Sequence, residues 1–501
     1  MKSVVALSWL SAALALPAAK PASQKVALGT SNLLTRSNGE ANIAVIYASL
    51  NHTLHKYNLK PLPYYEPVAR KQAEILEAQI AKRQANEPIT DQTQLGSEDV
   101  AYYGSVGIGG QNFNVIFDTG SADVWVPGPS CTRAKGCVHT SKYDQGGSDL
   151  GTKTSIQYGS GATEGENYVD EFTIAGLTAT NQTLISVTTA SGFTQIDADG
   201  LAGMAFSTIA QDNGTTFFEN LVAQGAVQAD EFGFYLGRVS GGTQKDSELT
   251  LGGRDSTKYT GEFVTVPVSS QTYWQIDLDG VKVGGSTVAN TQGQAAIDTG
   301  TTILLAPTAA AAAVFAQIKG SFGLTLEGQK IYLYPCSTAD GNIPSITFAG
   351  VDLAINPLDF KLGSLGLGDI DDLALGDAAL AAEIREKITP EAGGYCIAGF
   401  SGGDLTGIDD LYIVGDTFIK NWYSVFSYSA ADGQPAVLFA PNIGFLRLNP
   451  NGRIPVLVDN NQSPPFTVHE TSAELLYLLK EADKEDKFGF KDELERNEAL
   501  Q

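Results

Sequence analysis

Phe117-Asp118-Thr119-Gly120-Ser121 and Ile297-Asp298-Thr299-Gly300-Thr301 are the stretches that decide how this chain is read. They lie 180 residues apart. Each follows a short non-glycine run, Asn114-Val115-Ile116 in one and Gln294-Ala295-Ala296 in the other, and each leads back into apolar sequence. A second echo follows each copy: Asp199-Gly200-Leu201-Ala202-Gly203 after the first, Tyr412-Ile413-Val414-Gly415-Asp416 after the second. One Asp-Thr-Gly is an ordinary turn. Two in register, each with its echo, mark one half-molecule used twice.

Duplication of this kind has a chemical consequence. A carboxylate on a tight glycine turn between apolar strands is held in place. Two such turns meeting at a pseudo-twofold axis set two carboxyls side by side. Like charges that close do not both ionise readily, so one proton is shared. One carboxylate then serves as general base on a water and the protonated partner as general acid.

Outward from the repeats, short strand-like runs recur with Gly, Ser and Thr between them, from about residue 102 to 446. Examples are 114–117, 171–174, 248–251 and 263–266. This pattern predicts a mainly β protein. Helices are expected over 68–81, over the Ala-rich 307–319 with Pro307 at its start and Gly320 after it, over 373–387, and over 473–484 in the tail.

The chain has 501 residues and a formal net charge of −24. Its length suits about three domains, or two large ones with appendages, and its acidity argues against nucleic acid as a partner. Four Cys without CxxC pairs and only four His argue against a structural metal. Residues 1–19 have a basic start, an apolar run from Val4 to Leu16, and Ala13-Leu14-Ala15 before Pro17. That reads as a secretory signal peptide, too short to anchor in a membrane. Residues 20–83 carry nine Lys or Arg against four Glu and end on Lys82-Arg83. With Lys2 they bring the charge before residue 84 to +6, leaving −30 for the remainder. A basic propeptide cut after Arg83 is expected, held on an acidic body near neutrality and loosened as carboxylates protonate. Crowded carboxylates also predict a protein that works in acid and decays above neutrality.

On these motifs the sequence resembles the pepsin-like aspartic peptidases, in particular their secreted fungal, polyporopepsin-like branch. Val124-Trp125-Val126-Pro127, Ile156-Gln157-Tyr158-Gly159-Ser160-Gly161, Ile413–Phe418 with Tyr423–Phe426, and Ile443-Gly444-Phe445 strengthen the likeness over roughly residues 100–446. The resemblance implies a bilobal, mainly β fold with a central cleft and a monomeric enzyme. The expected division is a signal peptide 1–19, propeptide 20–83, N-terminal lobe 84–270, C-terminal lobe 271–450 and charged tail 451–501.

The resemblance also assigns residues. Asp118 and Asp298 would activate the water that attacks a peptide bond of a polypeptide substrate, with no cofactor or metal. Thr119 and Thr299 would bond across the two turns, Gly120 and Gly300 would give them room, and Ser121 and Thr301 would hold the outer carboxylate oxygens. Tyr158, with Gly159 and Ser160, would form a mobile flap and reach towards Trp125. Lys56-Tyr57 is similar to a propeptide pair that sits in the cleft, Lys between the aspartates, making the propeptide an intramolecular inhibitor. Of three possible pairings the family favours Cys131–Cys137 and Cys336–Cys396, contributing ~2 and ~4 kcal/mol by loop entropy.

Asn51, Asn181, Asn213 and Asn461 begin Asn-x-Ser/Thr sequons. Residues 358–388 read as an insertion that alters the rim of the C-terminal lobe. The location implied is extracellular, with an acidic vacuole as the alternative. Two other functional classes remain. A binding protein on the same fold would lack part of the dyad or the flap tyrosine. A two-carboxylate glycoside hydrolase would not explain the repeated turns.

Overall fold

The computed structural model describes residues 22–71 except 33, 37 and 58, and residues 99–443 except 159–160, 192–197, 239–246, 327, 389–393 and 405–409, together with 456–459 and 466–469. The expected signal peptide, Lys82-Arg83, Asn461 and the tail helix lie outside the described residues, as do Gly159 and Ser160. The helix expected over 68–81 is described only from 66 to 71.

Strand Gln111–Asp118 starts with mixed burial and ends with four buried residues in succession. A run covered on both faces belongs inside a sheet with parallel neighbours. It lies parallel to Gly200–Gly203, with Asp118 opposite Gly203. Gly200–Gly203 pairs antiparallel with Val124–Pro127, which runs parallel to Leu177–Ala190.

The second half repeats this. Gly293–Ile297 lies parallel to Leu411–Val414. Leu411–Val414 meets Leu304–Ala306 antiparallel, and Leu304–Ala306 runs parallel to Phe400–Gly402. The two sequence echoes are therefore the strands that lie against the two aspartate strands. The repeat seen in the sequence is a repeat of topology, and the fold is mainly β with two related lobes.

The first lobe is built on an eight-stranded sheet, and the second belongs to a sheet of fifteen strands. One end of the larger sheet is a six-strand antiparallel stack in the order Gln24–Ala27, Glu248–Leu251, Glu231–Tyr235, Trp422–Ala431, Gln434–Pro441, Val264–Gln271. Its strands come from the N-terminal segment, from 231–271 and from 422–441, so it joins the lobes. Phe218, Phe232, Trp274, Phe426 and Tyr428 pack upon one another over it. Burying each such ring is worth roughly 1.5–3 kcal/mol before ordering entropy. A buried ion cluster adds a second link: Arg238 donates from Nε to both oxygens of Asp359 at 2.9 and 2.8 Å, and Lys420 lies 3.5 Å from the same carboxylate.

The helices differ in detail from the sequence reading. The Ala-rich helix is Thr308–Phe315, with Pro307 at its N-cap position. The segment expected as one helix over 373–387 is two, Ile370–Leu373 and Ala378–Lys387. Leu375 and Gly376 take positive φ values of 49° and 79°, which ends the first helix, and Asp377 caps the second by accepting from the N–H groups of Ala379 and Leu380. The helix Ile43–Lys56 was not anticipated from the sequence. Ile43, Ile46, Tyr47, Leu50 and Leu54 recur at helical spacing, so the sequence does carry an amphipathic signal for it.

Candidate active site

The end of strand Gln111–Asp118 and the end of Gly293–Ile297 bring the two Asp-Thr-Gly turns face to face. Both aspartates are buried. Thr119 Oγ1 donates to the carbonyl of Ile297 at 2.8 Å and accepts the Thr299 N–H at 3.0 Å. Thr299 Oγ1 donates to the carbonyl of Phe117 at 2.7 Å and accepts the Thr119 N–H at 3.1 Å. Each threonine hydroxyl thus satisfies one donor and one acceptor of the opposite turn. Four reciprocal bonds in a buried place fix the distance between the lobes at this point.

The carboxylates are held the same way in each half. Asp118 Oδ1 accepts the Gly120 N–H and Asp298 Oδ1 the Gly300 N–H, each at 2.9 Å. Ser121 and Thr301 donate their hydroxyls to Oδ2 of Asp118 and Asp298, each at 2.5 Å. The glycines are required by space. A Cβ on Gly120 would stand 2.4 Å from Asp298 Oδ1, and one on Gly300 would stand 2.3 Å from Asp118 Oδ1. Each turn therefore lies against the carboxylate of the other.

Lys56, at the end of helix Ile43–Lys56, reaches into this pair. Its ammonium donates to Asp118 Oδ1 at 2.5 Å and to Asp298 Oδ1 and Oδ2 at 2.8 and 2.9 Å. Its side chain is only 3% exposed. Tyr57 donates its hydroxyl to Asp298 Oδ2 at 2.8 Å, and its ring packs on Tyr273 with centroids 5.3 Å apart. Ser49, earlier in the same helix, donates to Thr302 Oγ1 at 2.7 Å. Tyr273 and Ser49 were not singled out from the sequence. A lone aromatic in a turn and a serine in a helix carry no distinguishing pattern.

Electrostatics separates the two carboxyls. Burial pushes Asp118 up to about 6, against the pull of Lys56 and with the help of the neighbouring Asp298 charge. Asp298 is pulled below the usual carboxylate range: burial opposes this, but Lys56 and the hydrogen bonds from Asp118, Lys56 and Thr301 prevail. Below about pH 6 the pair therefore holds one proton between them, and it titrates as a unit. Burial works against the Lys56 charge, and the two carboxylates more than offset it, so its pKa is raised. Such an arrangement can keep one carboxyl acidic and the other basic over the same pH range.

The remaining sequence-named residues are placed as follows. Trp125 is buried in strand Val124–Pro127, packed with Ile116, Ile185 and the Cys131–Cys137 bridge. Tyr158 ends the strand Ser148–Tyr158, paired with Gly161 across the hairpin turn. Cys131–Cys137 and Cys336–Cys396 are disulfides with Cα separations of 5.6 and 5.1 Å. Asn181, within strand Leu177–Ala190, and Asn213, in a bend, are exposed and take positive φ, whereas the Asn51 side chain accepts the Leu62 N–H at 2.8 Å. No helix of the described residues is long and apolar enough to cross a membrane. The insertion does not simply shape a rim: residues 362–388 lie under helix Ile43–Lys56 and share its apolar cluster.

Comparison with known proteins agrees with this geometry. Residues 101–365 match the family described as eukaryotic aspartyl protease. Cathepsin E of Aquarana catesbeiana is 34% identical over 364 residues, covering 71% of this chain and 82% of that protein. Rhizopuspepsin of Rhizopus chinensis is 35% identical over 364 residues, 71% of this chain and 80% of that one. A probable vacuolar protease A of Trichophyton verrucosum is 32% identical over 334 residues, 64% of this chain and 74% of that one. Duplicated aspartate turns, their reciprocal threonine bonds and these matches have one reading: the chain belongs to the eukaryotic aspartyl protease family and is a pepsin-like aspartic endopeptidase.

Proposed function

We propose that Asp118 and Asp298 are the catalytic pair of an acid-acting endopeptidase made as a latent precursor. The observation that carries this is the reciprocal threonine bonding that sets two buried carboxyls side by side, with their pKa values driven apart. With Lys56 withdrawn, a water between the carboxyls loses a proton to the ionised one as it attacks the scissile carbonyl. The protonated one donates to the carbonyl oxygen, and the proton is passed on to the leaving nitrogen. The nucleophile is water, so no acyl-enzyme forms. Thr119, Thr299, Gly120, Gly300, Ser121 and Thr301 hold the pair, and the Tyr158 hairpin, with Gly159 and Ser160, closes over an extended substrate with apolar side chains around the cut bond. Trp125 backs that hairpin.

Latency follows from Lys56 and Tyr57 occupying the position that a substrate needs. Asp118 takes up a proton at about pH 6, which removes part of the charge that holds Lys56. Acid then frees the basic segment from an increasingly neutral body, and cleavage after Arg83 makes the release permanent. The proposed organisation is signal peptide 1–19, propeptide 20–83, lobes 84–270 and 271–450, and tail 451–501, acting as a monomer. The N-terminal apolar run supports secretion, of the fungal type. The likeness to a probable vacuolar protease A makes an acidic vacuole the alternative destination.

The test is hydrolysis of an unfolded protein at about pH 3–4 by the acid-treated chain, beside Asp118→Asn. Cleavage by the first alone is expected. No cleavage by either, with both folded and processed, would make a binding protein the better description.

A further inference from the structure

We propose that residues 362–388 of the insertion 358–388 are the docking surface for residues 34–71, so that latency depends on a surface the aspartates do not touch. This rests on the reading of residues 34–71 as an inhibitory segment.

The contacts are chemically matched and fall at both ends of the segment. On its N-terminal side, the Ala41 N–H donates to the Ser364 carbonyl at 2.8 Å, and the Ser364 N–H and Oγ donate to the Gly39 carbonyl at 3.1 and 3.0 Å. Thr35 donates its hydroxyl to the carbonyl of Leu362 at 3.2 Å. Arg36 makes a two-pronged contact with Asp369, each nitrogen 2.8 Å from its oxygen. In the middle, the Tyr47 hydroxyl donates to the carbonyl of Leu373. On the C-terminal side, Lys71 pairs with Asp372. Asp369 and Asp372 are 7% and 10% exposed as side chains, so both ion pairs are partly desolvated. Paired planar groups at low exposure give direction as well as attraction.

Between these polar ends the surface is apolar. Ile370, Leu373, Ala374, Ala381 and Ile384 of the insertion share one buried cluster with Ile43, Tyr47, Leu50 and Leu54 of the segment. The fit is close at the backbone too. A Cβ on Gly363, which has φ 129°, would stand 2.7 Å from the backbone of Ala41. An apolar patch edged by two carboxylates therefore takes an apolar helix flanked in sequence by two cations, and residues 34–71 are that partner.

The experiment uses the full chain. Asp369→Arg should raise the activity of the uncut chain near neutrality at least tenfold, read as initial rate on a short fluorogenic peptide before any shortening on a gel. Adding Arg36→Asp should restore latency. In an Asp118→Asn background, amide exchange over 43–56 should quicken at least tenfold with Asp369→Arg and slow again with the paired change. Unchanged exchange with Asp369→Arg overturns the proposal. Faster exchange that Arg36→Asp fails to restore also overturns it, because the substitution then acts through the insertion's own folding. Lys56→Ala separates the two readings. If it stays latent, the inhibitory reading fails, and the exchange data still decide the docking.

Discussion

Asp123 offers a direct route from a buried carboxyl to the pH range in which the protein survives. It lies five residues beyond Asp118 and is 3% exposed. Its Oδ1 accepts the N–H groups of Gln211 and Asp212, each at 2.9 Å. Burial, then the charge of Asp212, raises its carboxyl from 3.8 to about 7, against the pull of those N–H groups. Asp212 is raised as well, by burial first.

The sign follows from the direction. A carboxyl whose folded pKa lies above its unfolded value contributes stability at low pH, and that contribution is lost as pH rises through the folded value. The gap between 3.8 and about 7 corresponds to roughly 4 kcal/mol, lost between about pH 4 and pH 7. Because the two carboxyls share a proton, this is one loss and not two. Asp123→Asn replaces the neutral carboxyl by a neutral amide of the same shape, and its oxygen can still accept both N–H bonds. The assay is urea unfolding by Trp fluorescence at pH 4.5 and pH 8, with Asp118→Asn in both chains to stop self-digestion. The fall in unfolding free energy between the two pH values should be smaller in the chain carrying Asp123→Asn by up to roughly 4 kcal/mol. Equal falls in the two chains would refute the reasoning.

Other outcomes follow from the same structure. Gly120→Ala places a methyl against the Asp298 carboxylate and should lower kcat/KM of the activated enzyme by at least about a hundredfold, ~3 kcal/mol in the barrier; a loss under threefold would show that the turns have slack. Thr299→Val leaves the Phe117 carbonyl and the Thr119 N–H short of a partner and should cost about 1–3 kcal/mol in urea unfolding. An unchanged midpoint would mean that the reciprocal bonds add nothing. Asp359→Ala removes the carboxylate shared by Arg238 and Lys420 and should destabilise by about 3–5 kcal/mol. A near-neutral result would show that these cations find water or another acceptor.

The lobes were legible because duplication writes the same local constraint twice. Strand and aspartate answer to neighbours within a few residues, threonine and glycine answer to the second copy, and the echoes at 199–203 and 412–416 mark the adjacent strands. The threonine bonds and the glycine clearances are a direct outcome of that local pattern meeting its copy. Other features depend on distant partners. Asp359 looks like any acidic residue until Arg238 and Lys420 stand beside it, and Asp123 looks like a turn residue until Asp212 closes on it. Helix Ile43–Lys56 carries an apolar stripe at helical spacing, but the surface that stripe covers is set by distant residues of the insertion. The insertion itself was read as part of a rim because sequence spacing says where residues are added and not which surface covers them.

The six-strand stack that joins the lobes also sets a timetable. Val264 pairs with Phe439, and Phe232 with Phe426, so the sheet waits for the last part of the second lobe to emerge. Gln24–Ala27, synthesised first, finds its place only on Glu248–Leu251. Such distant pairings make assembly slow and leave strand edges open during synthesis. A chain cut behind these early residues would have to rebuild the stack without its outermost strand. A chain so cut would then depend on the height of its unfolding barrier rather than on ready refolding.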